Sequence, residues 1–209
     1  MQELIQQVKK SKVIVIIRGI EPSQAEPLFA ALDAGGIRFA EVTLNTPNAL
    51  QIIHEMRGKY DGRMAIGAGT VLNARMAEEA VGAGAQFLIS PNVDQGTIRL
   101  GVDRGVLPLP GAMTPTEIVQ AIEWGAPMVK LFPCSSLGPG YVKELRGPLG
   151  HVDMLAVGGI TKDNAASYLE AGAVGVGVGG SLVSLRDIQE SNYAAITAYA
   201  KELNAAVGV

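Results

Sequence analysis

One lysine lies inside a segment that otherwise has the composition of a buried strand. Lys130 has two apolar residues on each side in Met128-Val129-Lys130-Leu131-Phe132. If its side chain points into a protein interior, burial would lower the pKa of the amine from its usual value of about 10.4. A neutral amine of this kind is the nucleophile that Schiff-base chemistry with a ketone requires. The alternative is a strand-end lysine that reaches solvent or pairs with a carboxylate.

A carboxylate occupies a second apolar segment. Glu41 lies within Phe39-Ala40-Glu41-Val42-Thr43-Leu44. Schiff-base chemistry needs a group that moves protons among the carbinolamine, iminium and enamine, and a carboxylate performs this well. The alternative for Glu41 is a structural ion pair with a buried lysine.

Polar residues also follow two other strand-like segments. Arg18 comes directly after Val13–Ile17, and Thr70 follows Gly67-Ala68-Gly69. A guanidinium can bind a carboxylate through two parallel hydrogen bonds, and a hydroxyl beside backbone amides can hold the same group. The alternatives are a surface ion pair for Arg18 and a cap of the next helix for Thr70.

Two glycine pairs lie near the C-terminal end of the sequence. One is in Val157-Gly158-Gly159-Ile160, and the other is in Gly179-Gly180-Ser181. Backbone amides that no side chain covers can bind phosphate or another anion, especially beside a helix N-terminus. A single pair of glycines would indicate only a tight turn, but two pairs after successive strands favour an anion site.

Alternating short strands and helices must position these residues. Runs rich in β-branched residues predict eight strands, at Val13–Ile17, Phe39–Leu44, Met64–Gly67, Phe87–Ser90, Val106–Leu109, Met128–Leu131, Met154–Val157 and Val174–Val178. Helical patterns lie between and after them, at Pro22–Ala34, Asn48–Lys59, Asn73–Val81, Asp94–Arg104, Thr114–Trp124, Tyr141–Leu149, Thr161–Ala171 and about Ile188–Ala206. Leu4, Ile5 and Val8 predict one extra helix at the N-terminus. Continuously apolar strands are typical of a parallel sheet that is covered on both faces.

Eight strand–helix units favour the α/β class and a single (β/α)8 TIM barrel over residues 1–209. An open doubly wound sheet is the alternative, but the segment after the first strand, 18–22, lacks the dinucleotide-binding glycine motif. The carboxyl ends of barrel strands converge on one rim, where catalytic residues gather. Glu41 on the second strand and Lys130 on the sixth would face each other across that rim.

Composition excludes several other classes of protein. The chain is 48% hydrophobic and has one cysteine, which excludes a disordered chain and a disulfide framework. A formal charge of −3 argues against a nucleic-acid partner. The first apolar run has five residues, whereas a membrane helix needs roughly 20, so we expect no membrane association and a cytoplasmic location. The two histidines lack metal-ligand spacing, so we expect no metal. Schiff-base chemistry on a lysine needs no organic cofactor, so we expect none.

The sequence as a whole resembles the class I 2-keto-3-deoxy-6-phosphogluconate (KDPG) / 4-hydroxy-2-oxoglutarate (KHG) aldolases, which are small barrel enzymes and commonly homotrimers. The matching segments are at 17–19, 40–44, 66–72, 83–87, 89–91, 130–133, 157–160 and 179–181. The segments Gly-Ala-Gly-Thr-Val and Lys-x-Phe-Pro are specific when they occur together in this order and spacing.

The resemblance implies roles for ten residues. Lys130 is the implied Schiff-base nucleophile, and Glu41 is the implied acid and base. The implied substrate contacts are Arg18 and Thr70 at the 2-oxo-carboxylate, Pro91 and Phe132 as walls, and Gly158, Gly159, Gly180 and Ser181 at the phosphate. Two positions depart from the gluconate pattern, since Arg is typical at the position of Asn45 and Thr at that of Val157. Aldolases acting on the galactonate epimer (KDPGal) share the residues found here.

The resemblance therefore implies cleavage of KDPG to pyruvate and glyceraldehyde 3-phosphate, with KHG as a further substrate giving pyruvate and glyoxylate. KDPGal is the alternative substrate within the class. A phosphate-binding barrel isomerase or epimerase is a more distant alternative, because it would share the glycine loops without needing a buried lysine. A catalytically silent barrel that binds sugar phosphates is the non-enzymatic alternative.

Overall fold

The computed structural model describes all residues, 1–209, as one series of alternating strands and helices. The strands are β1 Val13–Ile17, β2 Phe39–Thr43, β3 Ala65–Gly69, β4 Phe87–Ile89, β5 Leu107–Leu109, β6 Gly111–Ala112, β7 Val129–Leu131, β8 Met154–Val157 and β9 Gly175–Val178. The helices are α1 Gln2–Ser11, α2 Pro22–Ala34, α3 Ala49–Lys59, α4 Ala74–Gly82, α5 Gln95–Asp103, α6 Pro115–Glu123, α7 Gly138–Arg146, α8 Ala165–Glu170, α9 Leu185–Gln189 and α10 Tyr193–Ala206. A 3-10 turn at Cys134–Ser136 lies between β7 and α7.

The strands form one parallel sheet that curves into a nearly closed barrel. Their order is β5-β4-β3-β2-β1-β9-β8-β7-β6, and the two terminal strands are consecutive in the chain, with only Pro110 between them. The amide of Lys130 donates to the carbonyl of Pro110 at 2.9 Å. The predicted fifth strand, Val106–Leu109, corresponds to β5, and the short β6 beyond Pro110 was not predicted. The two strands are separate because a proline cannot donate a ladder hydrogen bond. The prediction of a (β/α)8 barrel with an extra N-terminal helix is confirmed.

Local sequence signals explain where several helices begin. Thr114 and Glu117 form a capping box around the first turn of α6, with Pro115 at its first position. The side chain of Asn73 accepts a hydrogen bond from the amide of Met76 at the start of α4. These caps satisfy amides that would otherwise lack partners at the helix N-termini.

The strands separate two apolar cores. Val13, Val15 and Ile17 of β1 pack outward in a core of 52 buried residues beneath the helices. Ile14 belongs to a smaller core of 12 buried residues inside the barrel, and the partly buried Ile16 packs against it. Both faces of β1 are thus apolar, which explains why its sequence does not alternate.

Helix α1 closes the N-terminal end of the barrel. Its residues Ile5 and Val8 are buried in the inner core together with Phe39 and Phe87. The rings of these two phenylalanines lie 5.8 Å apart. The end of the barrel opposite the predicted catalytic rim is therefore filled by apolar side chains.

Some predicted boundaries were wrong. The eighth predicted helix is two helices, because Ser184 caps α9 and Ser191 adopts a left-handed conformation with φ of 55° before α10 begins. Strand β3 continues to Gly69, because Thr43 of β2 pairs with it. Helix α8 starts at Ala165 instead of Thr161, and α7 starts at Gly138 instead of Tyr141. None of the helices combines the length and apolarity that a bilayer crossing would need.

Candidate active site

All ten predicted site residues lie at the carboxyl ends of the strands or in the loops that follow. They are Arg18 after β1, Glu41 in β2, Thr70 after β3, Pro91 after β4, Lys130 in β7, Phe132 after β7, Gly158 and Gly159 after β8, and Gly180 and Ser181 after β9. Parallel strands bring these positions to one rim, so the topology gathers residues that are up to 163 positions apart in the sequence.

Glu41 and Lys130 occupy opposite walls of the barrel. Strands β1, β9 and β8 separate β2 from β7 on one side, and β3 to β6 separate them on the other. Both side chains are buried, with exposed fractions of 1% for Glu41 and 7% for Lys130. No salt bridge within 4.0 Å joins them, although each charge acts on the pKa of the other. The two charged groups therefore face a shared interior without forming a closed ion pair.

The carboxyl group of Glu41 lies directly against the backbone of Gly69. A Cβ atom added to Gly69 would lie 2.6 Å from the Glu41 carboxyl carbon, so any other residue there would displace the carboxyl group. Burial raises the pKa of Glu41 from 4.5 to about 7, against the opposing effects of Lys130 and Arg18. Its Oε2 atom is buried and accepts no hydrogen bond from the protein. Glu41 is thus poised to exchange a proton near neutral pH.

The amine of Lys130 lies over the ring of Phe132, with Nζ 4.5 Å from the ring centroid. Burial lowers the pKa of Lys130, and the charge of Arg18 lowers it further, whereas Glu41 raises it. A larger fraction of this amine is therefore neutral, and nucleophilic, than in an exposed lysine. The direction of the shift agrees with the sequence prediction.

Arg18 projects from the rim and is exposed. It makes no hydrogen bond or ion pair with its own protein, yet its charge lowers the pKa of both Glu41 and Lys130. The structure therefore does not support the alternative of a surface ion pair within the chain for Arg18. A free guanidinium close to both buried groups is available to an anionic ligand.

Thr70 adopts a left-handed backbone conformation with φ of 58°. This conformation is unfavourable for a β-branched residue, and backbone strain of this kind often clusters at functional sites. The alternative of a helix cap is wrong, because Asn73 caps the following helix. Thr70 also follows Gly69, so its strained turn lies next to the Glu41 carboxyl group.

Pro91 packs against Gly111 of β6, the residue that is paired with Lys130 in the sheet. Gly111 pairs with Lys130 in the sheet, and a Cβ atom added to Gly111 would lie 2.6 Å from the carbonyl carbon of Pro91. Pro91 and Phe132 therefore flank the lysine strand from two directions. The importance of Gly69 and Gly111 was missed, since their roles depend on contacts with neighbouring strands.

The glycine loops after β8 and β9 are tied to each other. The hydroxyl of Ser181 donates to the carbonyl of Ile160 at 2.8 Å, whereas the amides of Gly159, Gly180 and Ser181 donate to no protein acceptor. Gly158 and Gly159 have φ of 104° and 70°, values that turn the backbone without a steric penalty only for glycine. The loops thus present free amides to a common region, as an anion site requires.

Other reactive groups do not form a second centre. Cys134 is buried, its thiol donates to the carbonyl of Leu131 at 3.3 Å, and burial raises its pKa. No group of three or more His, Cys, Asp or Glu side chains could hold a metal ion. The chemistry of the rim therefore centres on Lys130 and Glu41.

A barrel that holds a buried lysine opposite a buried carboxylate defines a class of enzyme equipped for Schiff-base chemistry. Comparison with known proteins agrees with this class. The family model described as KDPG and KHG aldolase matches residues 4–199. The chain therefore belongs to the KDPG and KHG aldolase family, a family of carbon–carbon lyases.

Individual relatives match over nearly the whole chain. The 2-dehydro-3-deoxy-6-phosphogalactonate aldolase of Escherichia coli (strain K12) is 35% identical over 199 residues, which cover 95% of this chain and 97% of the relative. The structure of KDPG aldolase from Legionella pneumophila, with pyruvate captured at low pH as a covalent carbinolamine intermediate, is 31% identical with a TM-score of 0.84. The match covers 92% of this chain and 94% of the Legionella pneumophila chain.

A designed protein cage is also similar. The cube-shaped, highly porous cage, made by fusing symmetric oligomeric domains, has a TM-score of 0.88 and 33% identity. The match covers 94% of this chain and 72% of the cage chain.

Proposed function

We propose that this protein is a class I aldolase that cleaves KDPG to pyruvate and glyceraldehyde 3-phosphate, and KHG to pyruvate and glyoxylate. The observation that carries this proposal is the placement of Lys130 and Glu41, both buried, on opposite walls of one rim. Burial shifts the pKa of each group toward neutrality. The carbinolamine of pyruvate in the Legionella pneumophila enzyme supports the same chemistry.

The reaction begins when the neutral amine of Lys130 attacks the C2 ketone of the substrate. Glu41 donates a proton to the leaving hydroxyl, so that water departs and an iminium forms. The carboxylate then takes the proton of the C4 hydroxyl through a water molecule. The C3–C4 bond breaks toward the iminium, which accepts the electron pair and becomes an enamine, and the aldehyde leaves. Protonation at C3 and hydrolysis release pyruvate and regenerate Lys130.

The rest of the rim binds the two anionic ends of the substrate. Arg18 and Thr70 hold the 2-oxo-carboxylate, because Arg18 is free of protein partners and acts electrostatically on both catalytic residues. Pro91 and Phe132 form the walls beside the iminium. The amides of Gly158, Gly159, Gly180 and Ser181 receive the phosphate. Since the hydroxyl proton of Ser181 is donated to Ile160, the amide is the group of Ser181 that donates to phosphate.

A second candidate substrate is KDPGal, the C4 epimer, and two residues favour it. Val157 is buried at the end of β8 and offers no hydrogen bond to a substrate hydroxyl. Asn45 is exposed on the loop after β2, in the place where an arginine is typical of the gluconate enzymes. The relative from Escherichia coli is named as an aldolase for this epimer. Both candidates share every step of the mechanism.

Pyruvate release measured on both C4 epimers, with and without phosphate, tests the function and ranks the substrates. We expect cleavage of phosphorylated 2-keto-3-deoxy acids, with a preference for one epimer. Borohydride reduction in the presence of pyruvate should add the mass of a reduced pyruvate to the peptide containing Lys130. Absence of both cleavage and adduct would falsify the proposal.

We also propose that the protein is a cytoplasmic homotrimer. The similar cage was built by fusing symmetric oligomeric domains, which supports self-association. A single buried free cysteine suits a reducing compartment. Light scattering should give a mass of three chains of 21.8 kDa each, and a monomer mass at micromolar concentration would exclude the trimer.

A further inference from the structure

Two buried threonines form a chain of hydrogen bonds around the backbone of Arg18. The hydroxyl of Thr43 lies 3.3 Å from the carbonyl oxygen of Ile17 and 3.1 Å from the hydroxyl of Thr46. The amide of Gly19 donates to the Thr46 hydroxyl at 3.0 Å. This series of hydrogen bonds therefore joins the residue before Arg18 to the residue after it, by way of the strand that carries Glu41.

The direction of every bond in this chain is fixed by its two ends. The amide of Gly19 can only donate, and the carbonyl of Ile17 can only accept. The Thr46 hydroxyl must therefore accept from Gly19 and donate to Thr43, and the Thr43 hydroxyl must donate to Ile17. Each hydroxyl donates once and accepts once, so the buried chain is satisfied and has a single arrangement.

Thr46 is itself held firmly to β2. Its amide donates to the carbonyl of Thr43 at 2.8 Å, and its carbonyl accepts from the amide of Ala49 at 3.2 Å. Thr43 and Thr46 have exposed fractions of 0% and 4%. The hydroxyl of Thr46 thus connects the end of β2 to the loop that carries Arg18.

The Arg18 side chain makes no hydrogen bond or ion pair within the protein, so its position depends on its backbone, which the two threonines hold on both sides. We propose that Thr46 is a positioning residue that holds Arg18 at the distance from Glu41 and Lys130 that suits the carboxylate of a 2-oxo acid. This inference rests on the proposed function, in which Arg18 binds that carboxylate. Thr46 does not touch substrate, and it acts only through the backbone on either side of Arg18.

A double-mutant cycle tests the inference, with Thr46→Val, Arg18→Ala and the double variant. Two measurements are made on each protein: kcat and KM for the cleavage reaction, and the pyruvate concentration that gives half-maximal borohydride trapping of Lys130. The second measurement reports pyruvate binding without turnover. Thr197→Val is the matched control, because Thr197 also donates its hydroxyl to a backbone carbonyl, that of Ala31 at 3.0 Å, but lies in the outer helices.

We expect Thr46→Val to raise the half-maximal pyruvate concentration and KM about 5- to 20-fold, the effect of losing one positioning hydrogen bond. We expect kcat to change less than about 2-fold, since Lys130 and Glu41 are untouched. In the Arg18→Ala background the same substitution should add less than about 2-fold, because its effect passes through Arg18. Thr46→Ser, which keeps the hydroxyl, should restore binding, and Thr197→Val should leave it unchanged.

Other results separate the inference from the proposed function. The inference is wrong if Arg18→Ala weakens pyruvate binding but Thr46→Val does not. It is also wrong if the fold-change in the double variant equals the product of the two single fold-changes, because Thr46 then does not act through Arg18. If Arg18→Ala leaves pyruvate binding unchanged while Lys130 is still trapped, the role of Arg18 fails and the inference fails with it. If Thr46→Val does not fold, Thr46→Ala removes the same hydroxyl and is read by the same criteria.

Discussion

The two ends of the barrel interior differ in what they bury. At the N-terminal end, Ile5 and Val8 of α1 pack with Phe39 and Phe87 in one apolar cluster. At the C-terminal end the same strands bury Glu41 and Lys130, and the Glu41 Oε2 atom has no hydrogen-bond partner. Apolar burial therefore stabilises the folded state at one end, whereas the other end holds two charged groups that burial disfavours.

This difference shows how one set of strands serves both stability and chemistry. Phe39 and Glu41 lie two residues apart on β2, so their side chains point to the same face. Two residues along this strand therefore lead from the apolar core to the reactive rim. Burial at the rim disfavours the charged forms of Glu41 and Lys130, and this burial shifts the pKa values of both groups. The following predictions test this division, beginning with the largest expected effect.

Replacement of Lys130 by methionine should separate activity from folding most completely. Lys130→Met keeps an unbranched side chain but removes the nucleophile, so we expect a loss of at least about 10⁴-fold in kcat. The free energy of unfolding should be equal or higher, because a buried amine is replaced by an apolar group. Cleavage assays and denaturant unfolding measure the two effects. Lys59→Met, on the exposed face of α3, is the control and should keep full activity. Near-normal turnover by Lys130→Met would contradict the mechanism.

Replacement of Glu41 by glutamine should lower kcat by about 10²- to 10⁴-fold, as expected for loss of a general acid and base. It should also change the dependence of stability on pH. Because the folded pKa of about 7 lies above the unfolded value of 4.5, the wild-type protein loses unfolding free energy as the pH rises from 4.5 through 7. Glu41→Gln lacks that loss. The unfolding free energy of the variant minus that of the wild type should therefore be larger at pH 8 than at pH 4, by up to about 3 kcal/mol.

Denaturant unfolding of both proteins at the two pH values measures this difference. An equal difference in stability at pH 4 and pH 8 would show that Glu41 is not buried as an unpaired carboxyl. Glu55→Gln, an exposed carboxylate on α3, is the control for kcat and should retain it.

At the closed end, Ile5→Ala should affect stability alone. The substitution removes buried methyl and methylene groups from α1, so we expect a loss of about 2–5 kcal/mol in the free energy of unfolding. Values of kcat and KM should stay unchanged at temperatures where the variant is folded, since α1 lies at the opposite end of the barrel from the rim. Calorimetry and cleavage assays at low temperature check both statements. A fall in kcat of the fully folded variant would show that the two ends are coupled.

The smallest effect on stability is expected at Thr70. Thr70→Gly relieves an unfavourable left-handed conformation, so the free energy of unfolding should stay equal or rise by up to about 1 kcal/mol. The KM for pyruvate-forming substrates should rise about 10-fold, because the proposed function has the Thr70 hydroxyl bind the substrate carboxylate and this hydroxyl is lost.

Lys12→Gly is the matched control for Thr70→Gly, since Lys12 has φ of 57° at the closed end. It should leave KM unchanged. If Thr70→Gly kept a normal KM, the proposed contact between the Thr70 hydroxyl and the substrate carboxylate would be wrong.

Much of the fold could be read from local sequence. The apolar runs located eight of the nine strands, all except the two-residue β6, because burial on both faces leaves a continuous apolar signal. The charges embedded in these runs identified Lys130 and Glu41 as the unusual residues. The extent of β3 and the division of the eighth helix were missed. Gly69 has no strand propensity of its own, and the left-handed turn at Ser191 carries no distinctive sequence signal.

The sequence by itself determined the order of the strands and helices, the presence of two charged residues in apolar strands, and the glycine pairs after the last two strands. Only the tertiary structure decided that Glu41 has a pKa of about 7, that Thr70 is left-handed, and that Thr46 reaches the backbone around Arg18. The physical reason is the range of each effect. Strand and helix patterns depend on neighbours in sequence, whereas burial, electrostatics and the hydroxyl chain depend on groups that separate strands bring together.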